Sequence, residues 1–302
     1  MSQPSTLISF ILPTYNQAPF IGDSVRGVLN QTYSPLEIII SDDCSKDSTF
    51  DIVKDILDSY KGPHQVVLNR NETNKGIAGN ISRALSLVHG DLIIVNAGDD
   101  IAMPNKAEEI YNAWRNTDFT AMAFFSNAIV INSKGEDCGL YFKSKPRFCS
   151  TLDDFVNDHR SFIDKQREPS VWIHGASAAY SRKIFDEFGP VPDGIIQEDG
   201  VMSFRALLLG NIQYIESPLM KYRVHENSVS SQTNYENVIK LQTNEYLYIR
   251  QQLSDAKKME ADCVVVDKIK RLLIIAYIKR GLFCVPYLNI YLLKAIKHRH
   301  SK

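Results

Sequence analysis

Short apolar runs alternate with amphipathic stretches over the first third of the chain. Leu7–Leu12, closed by Pro13, is one such run; Leu36–Ser41, Gln65–Asn69 and Leu92–Asn96 are the next three. Uninterrupted apolar runs of this length predict strands covered on both faces. Helical periods lie between them: Pro19–Gln31, then a stretch from Asp47 or Ser48 to Tyr60, then Gly76–Val88, then Pro104–Asn116. Asp47 and Ser48 can each cap, and Pro104 suits a first helical turn. Strands alternating with helices predict a parallel α/β sheet with right-handed crossovers.

After Ala121 the pattern loosens. Ala121–Asn132 predicts a long strand and Ser133-Lys134-Gly135 a turn, while the polar stretch Pro146–Pro169 predicts loop and helix over a cleft. Ile173–Tyr180 predicts a strand, Gly200–Leu209 a helix, and Asn211–Glu216 and Leu219–Val224 two short strands. From Tyr235 onward the pattern is helical. The expected division is one α/β domain over 1–231, in two halves that part at about residue 120, then a basic helical region over 232–302.

Composition changes the picture in two places. With 302 residues and 44% hydrophobic content, the chain can bury a large core. The net charge of −1 offers no global field for nucleic acid, yet it is unevenly spread. From Lys257 onward eleven Lys/Arg face three Asp/Glu, a balance of +8 that leaves −9 on the remainder. The five cysteines are scattered without metal-site spacing, which fits a reducing cytosol. Met1–Thr6 shows no signal-peptide pattern. The apolar stretch Gly281–Leu293 is too short to span a bilayer.

Three acidic pairs carry the candidate chemistry: Asp42-Asp43, Asp99-Asp100 and Glu198-Asp199. The first two follow strand runs, and strand ends of a parallel sheet converge on one edge where ligands bind. Crowded carboxylates there are costly without a cation, and a divalent metal carrying a diphosphate meets that need. Pro13-Thr14-Tyr15-Asn16 ends the first strand and offers a ring face and an amide to a planar base. Asn74-Lys75-Gly76 and Asn80 open the third helix, where glycine lets backbone approach a ligand. Trp172, His174 and Gly175 are candidates to border an acceptor. No Gly-x-Gly-x-x-Gly follows the first strand, which discounts a nicotinamide-dependent oxidoreductase.

The ordered set of Pro13–Asn16, Gln31-Thr32-Tyr33, Glu37–Thr49, Asn74-Lys75-Gly76, Gly90-Asp91, Asp99-Asp100, Glu198-Asp199 and Tyr222-Arg223-Val224-His225 resembles the family-two inverting glycosyltransferases. The resemblance spans Ser9–Ser231. It implies a GT-A fold, Rossmann-like, with a mainly parallel central sheet flanked by helices and a C-terminal helical extension.

It further implies a nucleotide pocket formed by Pro13, Thr14, Tyr15, Asn16, Asp42, Asp43, Asn74, Gly76 and Asn80, with Asp42 on the base edge. Asp99 and His225 would hold Mn²⁺ or Mg²⁺, with Asp100 as a secondary ligand, and Arg223 would meet the diphosphate. Asp199 would be the general base, and Glu198, Trp172, His174 and Gly175 would face the acceptor.

The donor would be a nucleoside-diphosphate sugar, UDP-linked by preference. The acceptor would be a saccharide, held on a polyprenyl diphosphate in bacterial surface-polysaccharide synthesis. That setting is cytoplasmic and peripheral to the inner face of the plasma membrane.

Two departures stand out. The usual Asp-x-Asp is Ala97-Gly98-Asp99 here, and Gly79 stands where the family often has Arg, with Arg83 one turn on. The missing acid keeps a second reading open, a nucleotide-sugar-binding module without turnover. The apolar helix before Lys279-Arg280, and the basic segment beyond it, suit an anionic membrane surface, packing on the catalytic domain, or a second subunit.

Overall fold

In the computed structural model, residues 6–157, 173, 175–226 and 235–283 are described. Trp172 and His174 lie outside them, as do residues 284–302 of the basic tail. The chain divides into two compact units. One comprises Met1–Gly194 with Glu198–Val224, the other Ile195–Gln197 with His225–Lys302.

The first unit is built on a nine-stranded mixed sheet. Its strands are β1 (Ile8–Thr14), β2 (Leu36–Asp42), β3 (Gln65–Arg70), β4 (Leu92–Val95), β5 (Ile101–Ala102), β6 (Ala123–Ile131), β7 (Asp137–Leu140), β8 (Ala178–Ser181) and β9 (Ile212–Arg223). The order is β3-β2-β1-β4-β8-β6-β9-β5, with β7 added to β6. Neighbours from β3 to β4 run parallel, as the alternation of the first hundred residues demands. β8 then enters antiparallel between β4 and β6, while β6 and β9 are parallel.

Helices α1 (Ile21–Leu29), α2 (Thr49–Ser59), α3 (Gly76–Leu85) and α4 (Lys106–Arg115) connect the first strands, and α5 (Leu152–Asn157), α6 (Arg182–Phe188) and α7 (Glu198–Leu209) follow. The core is aliphatic. Ile8, Phe10 and Leu12 of β1, Ile38 and Ile40 of β2, and Leu92 and Ile94 of β4 pack on Val25, Val28, Ile110 and Trp114 of the helices. Alternate residues of the central strands therefore serve this face, which is why their runs are apolar without interruption.

Three expectations are corrected. β1 continues through Pro13 to Thr14; β4 has ended by then, and Pro13 pairs in register with Ser41 of β2. The stretch expected as a strand from Ile173 begins its strand only at Ala178, because Gly175–Ser177 forms a single 3-10 turn. The two strands expected around residue 217 are one, β9, whose register against β6 shifts near Pro218. A proline removes one ladder donor, and a bulge absorbs the loss.

The second unit contains α8 (Tyr235–Lys258) and α9 (Cys263–Phe283), packed on each other. The ring centroids of Tyr246 and Tyr277 lie 6.1 Å apart, and the Arg280 guanidinium lies 5.2 Å from the Tyr246 ring. Among the described residues, no helix is long and apolar enough to cross a membrane.

Candidate functional site

Strand direction alone assembles the site. The carboxyl ends of β1, β2 and β4 lie side by side, with Thr14 in register with Asp42 and Ile11 with Val95. Because β8 is antiparallel to β4, its start falls at the same edge, with Ile94 opposite Ala179. Gly175–Ser177 therefore sits beside the Asn96–Asp100 turn. β9 ends there as well, since Ile131 of β6 pairs with Arg223.

At the β1–β2 side the two loops are laced together. The Asn16 N–H donates to Ser45 Oγ (2.9 Å), Lys46 N–H to Asn16 Oδ1 (2.8 Å) and Gln17 N–H to Thr49 Oγ1 (2.7 Å). Asn16 and Cys44 take left-handed φ angles of 51° and 62°. Tyr15 emerges from this lacing with its side chain exposed.

Asp42 is fully buried. Its Oδ2 accepts from the Ser45 N–H at 3.0 Å and lies 3.5 Å from Arg70 Nε, and its Oδ1 is buried without a partner. An orphaned buried acceptor is expensive, so a donor from a ligand is the natural complement.

Other members of the expected nucleotide set turn inward. The Asp43 carboxylate accepts from Asn71 Nδ2, Lys75 N–H and Gly76 N–H, each at 2.8 Å. It therefore caps the start of α3, where Gly76 has a φ of +73° that only glycine adopts freely. Asn80 bonds Ser41 through both its amide atoms and accepts from Asn71. Asn74 is exposed and accepts from the Gly76 N–H. Arg83 reaches Asn69 and Ser86.

The second acidic pair splits by role. Asp99 is half-buried on the turn. Asp100 is buried, and its Oδ1 accepts the Arg223 N–H at 2.8 Å. Burial and the Asp99 charge push its pKa well up. Asp100 is thus a strut of the turn.

Arg223 bonds the same turn through its side chain as well. Its buried guanidinium donates to the carbonyl of Asp99 (2.9 Å), reaches those of Asn132 and Ser133 (both 3.4 Å), and stacks 4.9 Å from the Phe20 ring. It holds Asp99 in place instead of presenting charge outward. Asn96 braces the same turn, its Nδ2 donating to the carbonyls of Ala97 and Asp100 (both 3.1 Å) and its Oδ1 accepting from Lys106.

Lys106 was invisible to the motif reading. Its buried Nζ donates to Val95 O (2.9 Å), Asn96 Oδ1 (3.0 Å) and Ala176 O (3.0 Å). One ammonium thus ties the Asp99 turn to the Gly175 turn. Burial pulls its pKa down to about 7. The missed signal was a cation on the helix stripe otherwise made of Ala107, Ile110 and Trp114.

Asp199 opens α7. Its Oδ1 accepts the Gly200 N–H at 2.8 Å, and the Gly175 N–H also bonds the carboxylate. A Cβ on Gly175 would lie 3.2 Å from Glu198 Oε1 and 3.6 Å from Asp199 Cβ, so glycine lets the turn close on the acidic pair. Crowding by protein raises Asp199 to about 6 against those N–H donors. Burial and then the neighbouring Asp199 charge raise Glu198 to about 8. Glu198 lines a mostly apolar cavity with Ile11, Val95, Tyr180 and Met202.

Among the described residues no cluster of three or more His, Cys, Asp or Glu could enclose a metal. A cation that takes most of its oxygens from a diphosphate and water requires only one or two protein carboxylates, and Asp99 fits that demand. His225 belongs to the second unit and is half-buried.

A model described as Glycosyl transferase family 2 matches residues 9–189, more than half of the chain. The chain belongs to that family. Asp199 and Arg223 lie beyond the matched segment. An uncharacterized glycosyltransferase of Nostoc sp. is 24% identical over 223 residues, covering 72% of this chain and 65% of its own length. The Escherichia coli UDP-Glc:alpha-D-GlcNAc-diphosphoundecaprenol beta-1,3-glucosyltransferase WfaP is 32% identical over 185 residues, covering 56% of this chain and 69% of its own. The putative glycosyltransferase EpsE of Bacillus subtilis is matched over 36% of its length, so the chain spans less than two thirds of some of these relatives.

Among solved structures, S. aureus TarS 1-349 in complex with UDP-GlcNAc superposes with a TM-score of 0.62 at 17% identity, over 90% of this chain and 72% of that one. The mannosyltransferase PcManGT from Pyrobaculum calidifontis, in complex with GDP-Man and Mn2+, gives 0.56 at 16% identity, over 98% and 84%. The fold is GT-A, with C-terminal helices added.

Proposed function

We propose that this family-two chain is an inverting glycosyltransferase that moves a sugar from a nucleoside diphosphate, UDP by preference, to a saccharide hydroxyl. The observation that supports the reading is that the turn bearing Asp99 and the turn whose Gly175 N–H bonds Asp199 lie at one sheet edge, joined by Lys106.

Tyr15 offers a face to the base, and Asp42 Oδ1 accepts a donor from its edge. Asp99 would hold a divalent cation, which offsets charge on the diphosphate that leaves. Asp199 takes the acceptor's proton while its oxygen forms the new bond to the anomeric carbon. The bond to the diphosphate breaks on the opposite face, and the electron pair departs with it.

A lipid-linked acceptor is consistent with the substrate named for WfaP. Surface-polysaccharide synthesis and a peripheral position on the membrane follow from such an acceptor. The division at about residue 231 belongs to the same proposal.

Asp199→Asn is expected to lower turnover by roughly 10²- to 10⁴-fold with UDP affinity retained. Asp99→Ala is expected to lose the Mn²⁺-dependent part of UDP binding, read by calorimetry. Normal turnover in the first variant removes Asp199 as the base. Ala97 in place of the usual first acid favours a second reading, a binding module. UDP binding by the wild type with neither transfer nor hydrolysis over a panel of sugar nucleotides would decide for it.

A further inference from the structure

The β6–β7 hairpin carries an aromatic group that the donor and base assignments leave unused. Tyr141 follows β7 directly and stays 41% exposed, whereas most large side chains of this unit are covered. Its backbone is fixed on both sides. The Tyr141 N–H donates to Ala128 O (2.9 Å), and the next residue, Phe142, exchanges two 2.9 Å bonds with the buried amide of Asn127. Its ring centroid lies 4.8 Å from that of Phe142 and 5.4 Å from that of Tyr222, with the ring planes near-perpendicular in both pairs. Such pairs hold a ring without motion of the backbone.

The location is informative. Tyr222 pairs with Val130 and precedes Arg223, whose N–H and guanidinium hold the Asp99-Asp100 turn. Burial and then the Asp199 charge push the Tyr141 phenol up. A half-exposed ring on a rigid support thus lies beside the strand end that holds the Asp99 turn. A hexose has an apolar C–H face that matches such a ring, and hydroxyls at its rim that match a phenol.

We propose that Tyr141, backed by Tyr222, is the shelf on which the acceptor saccharide lies while its hydroxyl meets Asp199. This rests on the transferase reading above and names the acceptor contact within it. It moves the principal ring from the expected Trp172 to the hairpin.

The test uses the full chain with UDP and Mn²⁺ present. Saturation-transfer NMR is recorded with the methyl glycosides of glucose, galactose, N-acetylglucosamine and rhamnose, and UDP affinity is measured by calorimetry on the same samples. Wild type is expected to bind at least one glycoside. Tyr141→Ala should weaken that glycoside about tenfold, while Tyr141→Phe stays within about threefold because the face survives. UDP affinity should be unchanged throughout. Tyr141→Leu, which keeps apolar bulk without a ring, serves in place of alanine if that variant does not fold.

Binding of no glycoside by wild type, or undiminished binding by the alanine or leucine variant, overturns the shelf. Equal loss in the phenylalanine variant also overturns it, since the contact is then the hydroxyl. Failure of wild type to bind UDP instead overturns the transferase reading itself.

Discussion

At the residue scale the acidic pair on α7 governs pH dependence. Both carboxyls have folded pKa values above their ordinary 3.8 and 4.5, at about 6 for Asp199 and about 8 for Glu198. Between those values the pair carries one negative charge and can accept one proton. Turnover should therefore rise with pH through about 6, and a pH–kcat profile checks it. The stability sign is opposite. A raised carboxyl pKa contributes stability that is complete below the unfolded value and lost as pH climbs through the folded one. Glu198→Gln should match wild type at pH 4 and exceed it in urea midpoint once the pH has passed about 8.

Lys106 makes a separate claim. Lys106→Met keeps volume and deletes three hydrogen bonds that join the two turns. If the ammonium sets their spacing, kcat should fall by roughly 10²-fold while UDP affinity holds, since small misplacements are costly in the transition state alone. Equal losses in both would mark a merely structural lysine.

At the element scale, the close approach of the β4–β5 turn to β1 explains Gly98. A Cβ there would lie 2.2 Å from Gln17 Oε1, 2.8 Å from Thr14 Oγ1 and 2.9 Å from Thr14 Cβ. Gly98→Ala should cost about 1–3 kcal/mol in denaturant titration and weaken UDP binding, because the same shift moves Asp99 and the Tyr15 loop. Gly281→Ala on α9 meets nothing within 4 Å and should be neutral or stabilise by up to about 1 kcal/mol.

The same elements show what the sequence disclosed. β1 to β4 and α1 to α4 were legible within a few residues, because burial on both faces makes strand runs continuous and helix faces periodic. β8 escaped. Its four residues, Ala178–Ser181, follow a turn whose shape is set by contacts to Lys106 and Asp199, not by local propensity. The acids themselves were legible as pairs. That Asp43, Asp100 and Arg223 would be spent on internal bonds was not, because their partners Asn71, Gly76 and Asp99 lie on other elements.

At the scale of the molecule, charge and apolar exposure meet in the second unit. On α9, Val264, Ile274, Tyr277 and Ile278 are all more than half exposed, while Val265, Ile269 and Ala276 are buried. From Lys257 the chain carries eleven Lys/Arg against three Asp/Glu. Apolar side chains beside cations bind anionic bilayers by adding hydrophobic burial to about 1 kcal/mol per basic residue near the surface. The electrostatic part decays over a Debye length of about 8 Å at physiological salt, so it should be lost on raising ionic strength. The full chain is therefore expected to float with vesicles rich in phosphatidylglycerol, to float less at about 1 M salt, and to ignore phosphatidylcholine vesicles. Ile274→Ser with Ile278→Ser should release it without touching the sheet-edge acids, leaving UDP affinity intact. If wild type stays at the bottom of the gradient at low salt, the exposed face of α9 serves packing or a second subunit, and the acceptor must reach Asp199 from solution.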